Sequence, residues 1–237
     1  MRVLVTRPLP AAETTARRLQ AAGHQPVLLP MMQATHLPAA AEAALKAEHT
    51  AIVLTSAEAL RVLASLGDGL KDHLTKPCFC VGEATARAAK ALGFTDIRTG
   101  QGTGEALAEM IAATIATPVK RPLLYLAGTP RSEALEKTLS QSGIDHDAVD
   151  CYRMDPIPYR PSAFHDAIRS GPFDRVLVYS RATARRLSDL LSEAGLAAPS
   201  FASRYLCLSA EIAEALPGSA VREIAARPDE DSLIRLL

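Results

Sequence analysis

Tryptophan is absent from the 237 residues, and phenylalanine and tyrosine together supply only 4%. A core must then be built from Leu, Val, Ile and Ala, which suits parallel strands covered by helices. An excess of either charge is also missing, with Lys plus Arg and Asp plus Glu at 26 each. Without a global positive field, neither nucleic acid nor a membrane surface is expected as a partner, and any attraction for an anion must be local. No run approaches the ~18 apolar residues of a membrane span. The chain opens directly on a strand-like MRVLVTR, without the apolar region of a signal peptide, so a cytoplasmic location is expected. Cys78, Cys80, Cys151 and Cys207 form no C-x-x-C pair. Cys78 and Cys80 alternate along one strand and so face one side, and buried free thiols are expected. His24, His36, His49, His73, His146 and His165 lack ligand spacing and read as surface or linker positions, with no metal site. The G-x-G-x-x-G fingerprint and the P-loop lysine motif are missing, which argues against a nucleotide-dependent transferase. The stretch from Gly100 to Gly104 reads only G-x-G-x-G, and is taken as a flexible loop over a ligand.

What is present is a repeated hand-over from strand to helix. An apolar run ends in a small polar or glycine-containing turn and continues as an amphipathic helix six times. The six begin at Val3, Ile52, Cys80, Leu123, Val176 and Tyr205. At such a turn, unpaired helix N–H groups and the positive end of the helix dipole point outward, a natural place for an anion. Four helices end alike, at Gly23, Gly93, Gly143 and Gly195, in the position where a glycine closes a helix. The alternation predicts α/β architecture with parallel sheets.

Two proline-bearing stretches break the rhythm, Leu28 to Pro38 and Cys151 to Pro161. Proline fixes φ and favours extended chain, so both read as crossings between lobes. The expected division is a discontinuous α/β domain of residues 1–34 plus 157–237 and a continuous α/β domain of residues 38–150. Residues 35–37 and 151–156 would form a two-stranded extended linker. A ligand would sit in a cleft where the carboxyl ends of the two sheets face each other.

Each turn offers candidate binding residues. Arg7 ends the first strand ahead of Pro8, and its guanidinium could fork onto a carboxylate. Thr55 and Ser56 open the second helix, Ser56 also as its cap. Gly82 would let a ligand approach the backbone, and Thr85 offers a hydroxyl in the first helical turn. Gly128-Thr129-Pro130-Arg131 repeats the pattern of the first turn, with Arg131 as a second carboxylate partner. Ser180 and Ser209 cap the helices at the fifth and sixth turns, again with hydroxyls available to a ligand. Tyr152 lies at the entry to the second crossing. Its phenol, neutral at pH 7, is a donor rather than a base.

The segments VLVTRP, AIVLTSAEAL, CVGEATARAAKALGF, LLYLAGTPRSEALEKTL, VDCYR, VLVYSRATARRL and AARPDEDSLIRLL span nearly the whole chain. In this order and spacing the chain resembles the uroporphyrinogen-III synthase family. The resemblance implies two α/β lobes and a cyclising lyase of porphyrin (heme) biosynthesis that uses neither cofactor nor metal. Its substrate would be the linear tetrapyrrole hydroxymethylbilane. The product would be uroporphyrinogen III, formed with loss of water and inversion of ring D through a spirocyclic intermediate. By motif match, Thr55, Ser56, Thr85, Ser180 and Ser209 would face the substrate, and Tyr152 would be the acid. The chain departs from the family pattern at Leu208-Ser209-Ala210, where a glycine-containing turn with paired hydroxyls is common. It departs again at Glu58, an acid that would repel a carboxylate unless turned away. A non-enzymatic two-lobed binding protein for a small polyanion is the alternative reading. A monomer is expected, since no long apolar stripe demands a partner.

Overall fold

The computed structural model describes residues 1–115, 120–168 and 171–237. The chain begins with β1 (Arg2–Val5), α1 (Ala11–Ala21), β2 (Gln25–Leu28), β3 (Met32–His36) and α2 (Pro38–Lys46). It continues with β4 (Ile52–Leu54), α3 (Ala57–Ala64), a 3-10 turn (Gly67–His73), β5 (Cys78–Cys80), α4 (Glu83–Leu92), β6 (Ile97–Thr99) and α5 (Gly104–Thr114). Next come β7 (Leu123–Thr129), α6 (Ala134–Gln141), β8 (His146–Pro156), α7 (Pro161–Ile168), β9 (Phe173–Val178) and α8 (Arg181–Glu193). The last elements are α9 (Ala198–Phe201), β10 (Ala202–Cys207), α10 (Ala210–Glu214), β11 (Arg222–Ile224) and α11 (Glu230–Ile234).

The chain divides into two compact units, Met1–Gln33 with Asp155–Leu237, and Ala34–Met154. The residues read as linkers, 35–37 and 151–156, fall at the end of β3 and along β8, which are neighbours in one sheet.

The first unit has a five-stranded sheet in the order β11-β10-β9-β1-β2, with each pairing parallel. Its three central strands, β10, β9 and β1, each end in a buried apolar run, as two-sided burial requires, while the edge strands β2 and β11 are more exposed. Val3, Val5, Leu177 and Leu206 pack on Ala12 and Leu19 of α1 and Leu233 of α11. Alternate strand residues point the other way. Among these, the Tyr205 hydroxyl donates to the Ala198 carbonyl at 2.9 Å.

The second unit has a six-stranded sheet in the order β3-β8-β7-β4-β5-β6. The sheet separates two cores. Ile52, Leu54, Cys78, Cys80, Leu124 and Leu126 face α2, α3 and α4, with Cys151 and Tyr152 on the same side. Val53, Phe79, Leu123, Tyr125 and Ala127 face α5 and α6. Cys78 and Cys80 lie on one face and are fully buried, as the alternation predicts.

Helix ends follow local chemistry. Ser56, Thr103, Ser180, Ser209 and Asp229 each accept a hydrogen bond from a backbone N–H of the helix they open. Gly93 closes α4 at φ 106°, a left-handed conformation that a side chain would disfavour, and Gly23, Gly143 and Gly195 also have positive φ.

Three expectations need correction. Leu28 to Pro38 is not wholly a connecting stretch, because β3 forms within it. Residues 151–156, expected as a separate linker, are the second half of β8, which begins at His146. His49 is not a surface residue: it is 5% exposed, and its ring stacks on that of His73 with centroids 5.3 Å apart.

Candidate active site

In the second unit the strands β8, β7, β4 and β5 lie side by side, and their paired residues set a common level. Leu54 pairs with Leu126 and with Cys80, and Gly128 pairs with Tyr152. Thr55 and Ser56 follow Leu54 just as Ala127 and Gly128 follow Leu126. The carboxyl edge of this sheet therefore brings together Thr55, Ser56, Gly128 and Tyr152, with Gly82 just beyond the adjacent β5 and Thr85 in the first turn of α4.

Tyr152 owes its direction to a bulge. Ala127 pairs with Asp150, and the next pair is Gly128 with Tyr152, so Cys151 is an extra residue on β8. An extra residue resets the alternation of a strand. Cys151 and Tyr152, though adjacent, consequently enter the same core. The Cys151 thiol donates to the Ala127 carbonyl at 3.3 Å. Burial pushes this thiol up to about 12 and keeps it protonated. Tyr152 is 8% exposed. Burial raises its phenol above the ordinary value, while a hydrogen bond from Ser56 acts in the opposite direction. The phenol is thus a protonated donor at neutral pH.

A second phenol, Tyr125, lies on the other face of the sheet. Its hydroxyl and the Thr55 hydroxyl are 2.9 Å apart. Burial raises the Tyr125 phenol as well. The Arg131 guanidinium lies 5.7 Å from the centre of its ring. Tyr125 was not singled out from sequence. The signal available was a lone polar-tipped side chain in the otherwise aliphatic strand LLYLAG.

Arg131 is already engaged. Its Nε and Nη2 donate to the two Glu136 carboxylate oxygens at 3.0 Å each, and Nη1 pairs with Asp150. The Glu136 bond raises its pKa further. Gly82 has φ −171°, which any residue adopts, and a methyl there would meet only ordinary contact with Gly102. The loop bearing Gly102 is pinned, since its N–H donates to the Val81 carbonyl at 2.7 Å. Thr85 is 5% exposed. Helix α4 has no side-chain cap at its N-terminus, which leaves first-turn amides to other partners. Glu58 is turned to neighbours in its own unit, bonding the His36 ring at 2.6 Å and pairing with Arg61.

The first unit has its own cluster at the carboxyl edge of its sheet. Arg7 pairs with Glu230 at 2.9 Å, and its guanidinium lies 4.3 Å over the Tyr179 ring. The Tyr179 hydroxyl donates to Glu230 at 3.2 Å, and burial pushes this phenol up to about 12. Thr15 also bonds Glu230. Ser180 accepts from the Thr183 N–H at 3.1 Å and donates to the Thr183 hydroxyl at 2.9 Å. Ser209 makes the weakest cap, at 3.4 Å to the Ile212 N–H. Glu230 and Tyr179 were not anticipated, and no local pattern connects Arg7 to a residue so far along the chain.

Among the described residues no group of three or more His, Cys, Asp or Glu side chains is placed to hold a metal ion. No helix of the described residues is long and apolar enough to cross a membrane.

Comparison with known proteins gives a consistent result. Residues 13–235 match a family model described as uroporphyrinogen-III synthase HemD. Among solved structures, the uroporphyrinogen-III synthetase of Helicobacter pylori is similar in fold, with a TM-score of 0.68 and 17% identity. That match covers 100% of this chain and 98% of the other. A mutant uroporphyrinogen III synthase of Thermus thermophilus gives a TM-score of 0.57 at 18% identity, covering 99% and 96% of the two chains. The family match spans nearly all of the sequence, and the fold agrees with it along the full length: the chain belongs to the uroporphyrinogen-III synthase family, whose members are cyclising lyases of tetrapyrrole biosynthesis.

Proposed function

We propose that this chain closes hydroxymethylbilane to uroporphyrinogen III, with Tyr152 as the proton donor at the carboxyl edge of the second unit's sheet. The observation that carries this assignment is a phenol held protonated by burial among the hydroxyl-bearing turns of Thr55 and Ser56.

The chemistry asks little more of the protein. The phenol gives its proton to the terminal hydroxyl of the substrate, the C–O bond breaks, and water leaves. The resulting azafulvenium cation is attacked by the substituted carbon of the far pyrrole, which makes a spirocyclic pyrrolenine that still carries the positive charge. This fragments and recloses with that ring inverted, and the proton lost on rearomatisation balances the one donated. Without the protein the substrate closes uninverted, so selectivity is mainly positioning, worth up to ~7–11 kcal/mol in favourable cases. Proton donation would add roughly 10²–10⁴-fold.

Substrate carboxylates are assigned to Thr55, Ser56, Thr85 and the uncapped amides beyond Gly82 at the start of α4. Ser180 and Ser209 are the corresponding hydroxyls in the first unit. Arg7 and Arg131 would contribute only by sharing or exchanging the carboxylates that they already hold. Four unpaired, buried cysteines favour a reducing, cytoplasmic setting, and a monomer is taken as the working form.

The test is an isomer-resolved assay on hydroxymethylbilane. Type III product formed faster than spontaneous closure is expected. Type I product alone, at the spontaneous rate, would remove the assignment. Family membership does not favour the alternative of a non-enzymatic polyanion-binding protein, which would be stabilised by the bilane without converting it.

A further inference from the structure

Gly128 has a role that contact with substrate does not describe. It lies on β7, where the residues two and four positions earlier, Leu126 and Leu124, face the core beneath α2, α3 and α4. A side chain at Gly128 would continue that row. The space is taken: a Cβ built on Gly128 would overlap Cζ, Cε2 and Oη of Tyr152. Gly128 is not among the glycines with positive φ, so its backbone does not require glycine. What requires it is the phenol end of a neighbouring ring. The bulge at Cys151 chooses the face on which Tyr152 lies, and the missing side chain of Gly128 chooses where on that face its hydroxyl rests.

We propose that Gly128 is the positioning residue for the Tyr152 hydroxyl, acting on the reaction by leaving the volume in which that hydroxyl is seated. The catalytic half of this inference rests on Tyr152 being the proton donor; the steric half does not. The atoms that a methyl would meet are the ring's hydroxyl end. The 8% exposure of Tyr152 gives the ring little room to swing away. A displacement on the order of 1 Å at a reacting group can cost ~10²-fold in rate.

Two measurements separate the halves. In thermal unfolding, Gly128→Ala is expected to lower the midpoint in the presence of Tyr152. In a Tyr152→Ala background, where the ring is gone, the same change should cost nothing or stabilise. In kinetics on hydroxymethylbilane, Gly128→Ala is expected to lower kcat about 10- to 100-fold while KM stays within about two-fold. Added to Tyr152→Phe, it should lower kcat little further, because both changes act on one proton transfer. Equal destabilisation by Gly128→Ala with and without the Tyr152 ring would show that β7 itself needs the glycine, and the seat falls. An unchanged kcat in Gly128→Ala beside a crippled Tyr152→Phe would overturn positioning and leave the proton donor standing. A full kcat in Tyr152→Phe with the unfolding cycle still coupled would overturn the donor, and the catalytic half with it, while the steric seat survives. Should Gly128→Ala alone fail to fold, recovery of folding in the Gly128→Ala/Tyr152→Ala double variant supports the seat, and failure there refutes it.

Discussion

At the scale of single residues, the proton donor proposed for the second unit is held in its protonated state. Burial raises the Tyr152 phenol, so it stays neutral well past physiological pH. The alkaline limb of kcat is therefore expected above about pH 10, the ordinary value for tyrosine. A limb near neutrality that survives in Tyr152→Phe would assign the proton to another group. Tyr152→Phe itself should lower kcat by roughly 10²-fold or more, with KM little changed. Steady-state kinetics with product separation reads both quantities. With carboxylate contacts spread over several turns, as proposed, Thr55→Ala and Thr85→Ala should each cost only a few-fold in kcat/KM, about 1 kcal/mol per hydrogen bond lost. Abolished activity in a folded single variant would concentrate binding at that one residue. Ser56 differs from these two, because it caps α3 at 3.1 Å to the Glu58 N–H as well as facing Tyr152.

The double duty of Ser56 is a property of elements, since strand-to-helix turns carry both caps and candidate ligand contacts. Removing the Ser180 hydroxyl is expected to cost ~1 kcal/mol of stability, the usual value for a helix N-cap. The same change at Ser209 should cost less, because its bond is 3.4 Å and α10 has only five residues. Chemical denaturation of Ser180→Ala and Ser209→Ala checks the order, and the reverse order would contradict the geometric ranking. Much at this scale could be read from the chain. Polar turns after apolar runs located Ser56, Ser180 and Ser209, because a cap is a contact within three residues. Other elements escaped. MQATH in β3 has neither the β-branched composition nor the clean alternation of a strand, and is held by its neighbour β8. Helix α9 has four residues, too few to display a helical period.

For the whole molecule, stability is bounded by buried titratable groups. In the second unit, His49 stacks on His73, accepts from Lys76 at 3.1 Å through Nε2, and donates from Nδ1 to the Ala47 carbonyl at 2.8 Å. Burial lowers both imidazoles, with Lys76 adding to the effect. A depressed imidazole contributes stability above its unfolded value of about 6.5 and loses it as pH falls through the folded value. The midpoint of thermal unfolding should therefore drop as pH falls below about 6.5. His49→Gln/His73→Gln should flatten that slope, and an equally steep slope in the double variant would place the acid sensitivity elsewhere. On the alkaline side the sign reverses. Tyr125, Tyr152, Tyr179 and Tyr205 are all raised by burial. Their contribution is complete below about pH 10 and is lost as pH rises beyond it.

The α/β class, the polar turns and the capping serines were settled by the chain itself, because each arises from contacts between residues a few positions apart. The partners of Arg7 and Arg131, the burial of His49 and the fit of Tyr152 over Gly128 were decided only on folding. Arg7 meets Glu230 across 223 positions of sequence, and Gly128 meets Tyr152 through a bulge that no periodicity announces. Such contacts depend on strand register, and register is set by how whole strands pack their faces, not by any one stretch of residues.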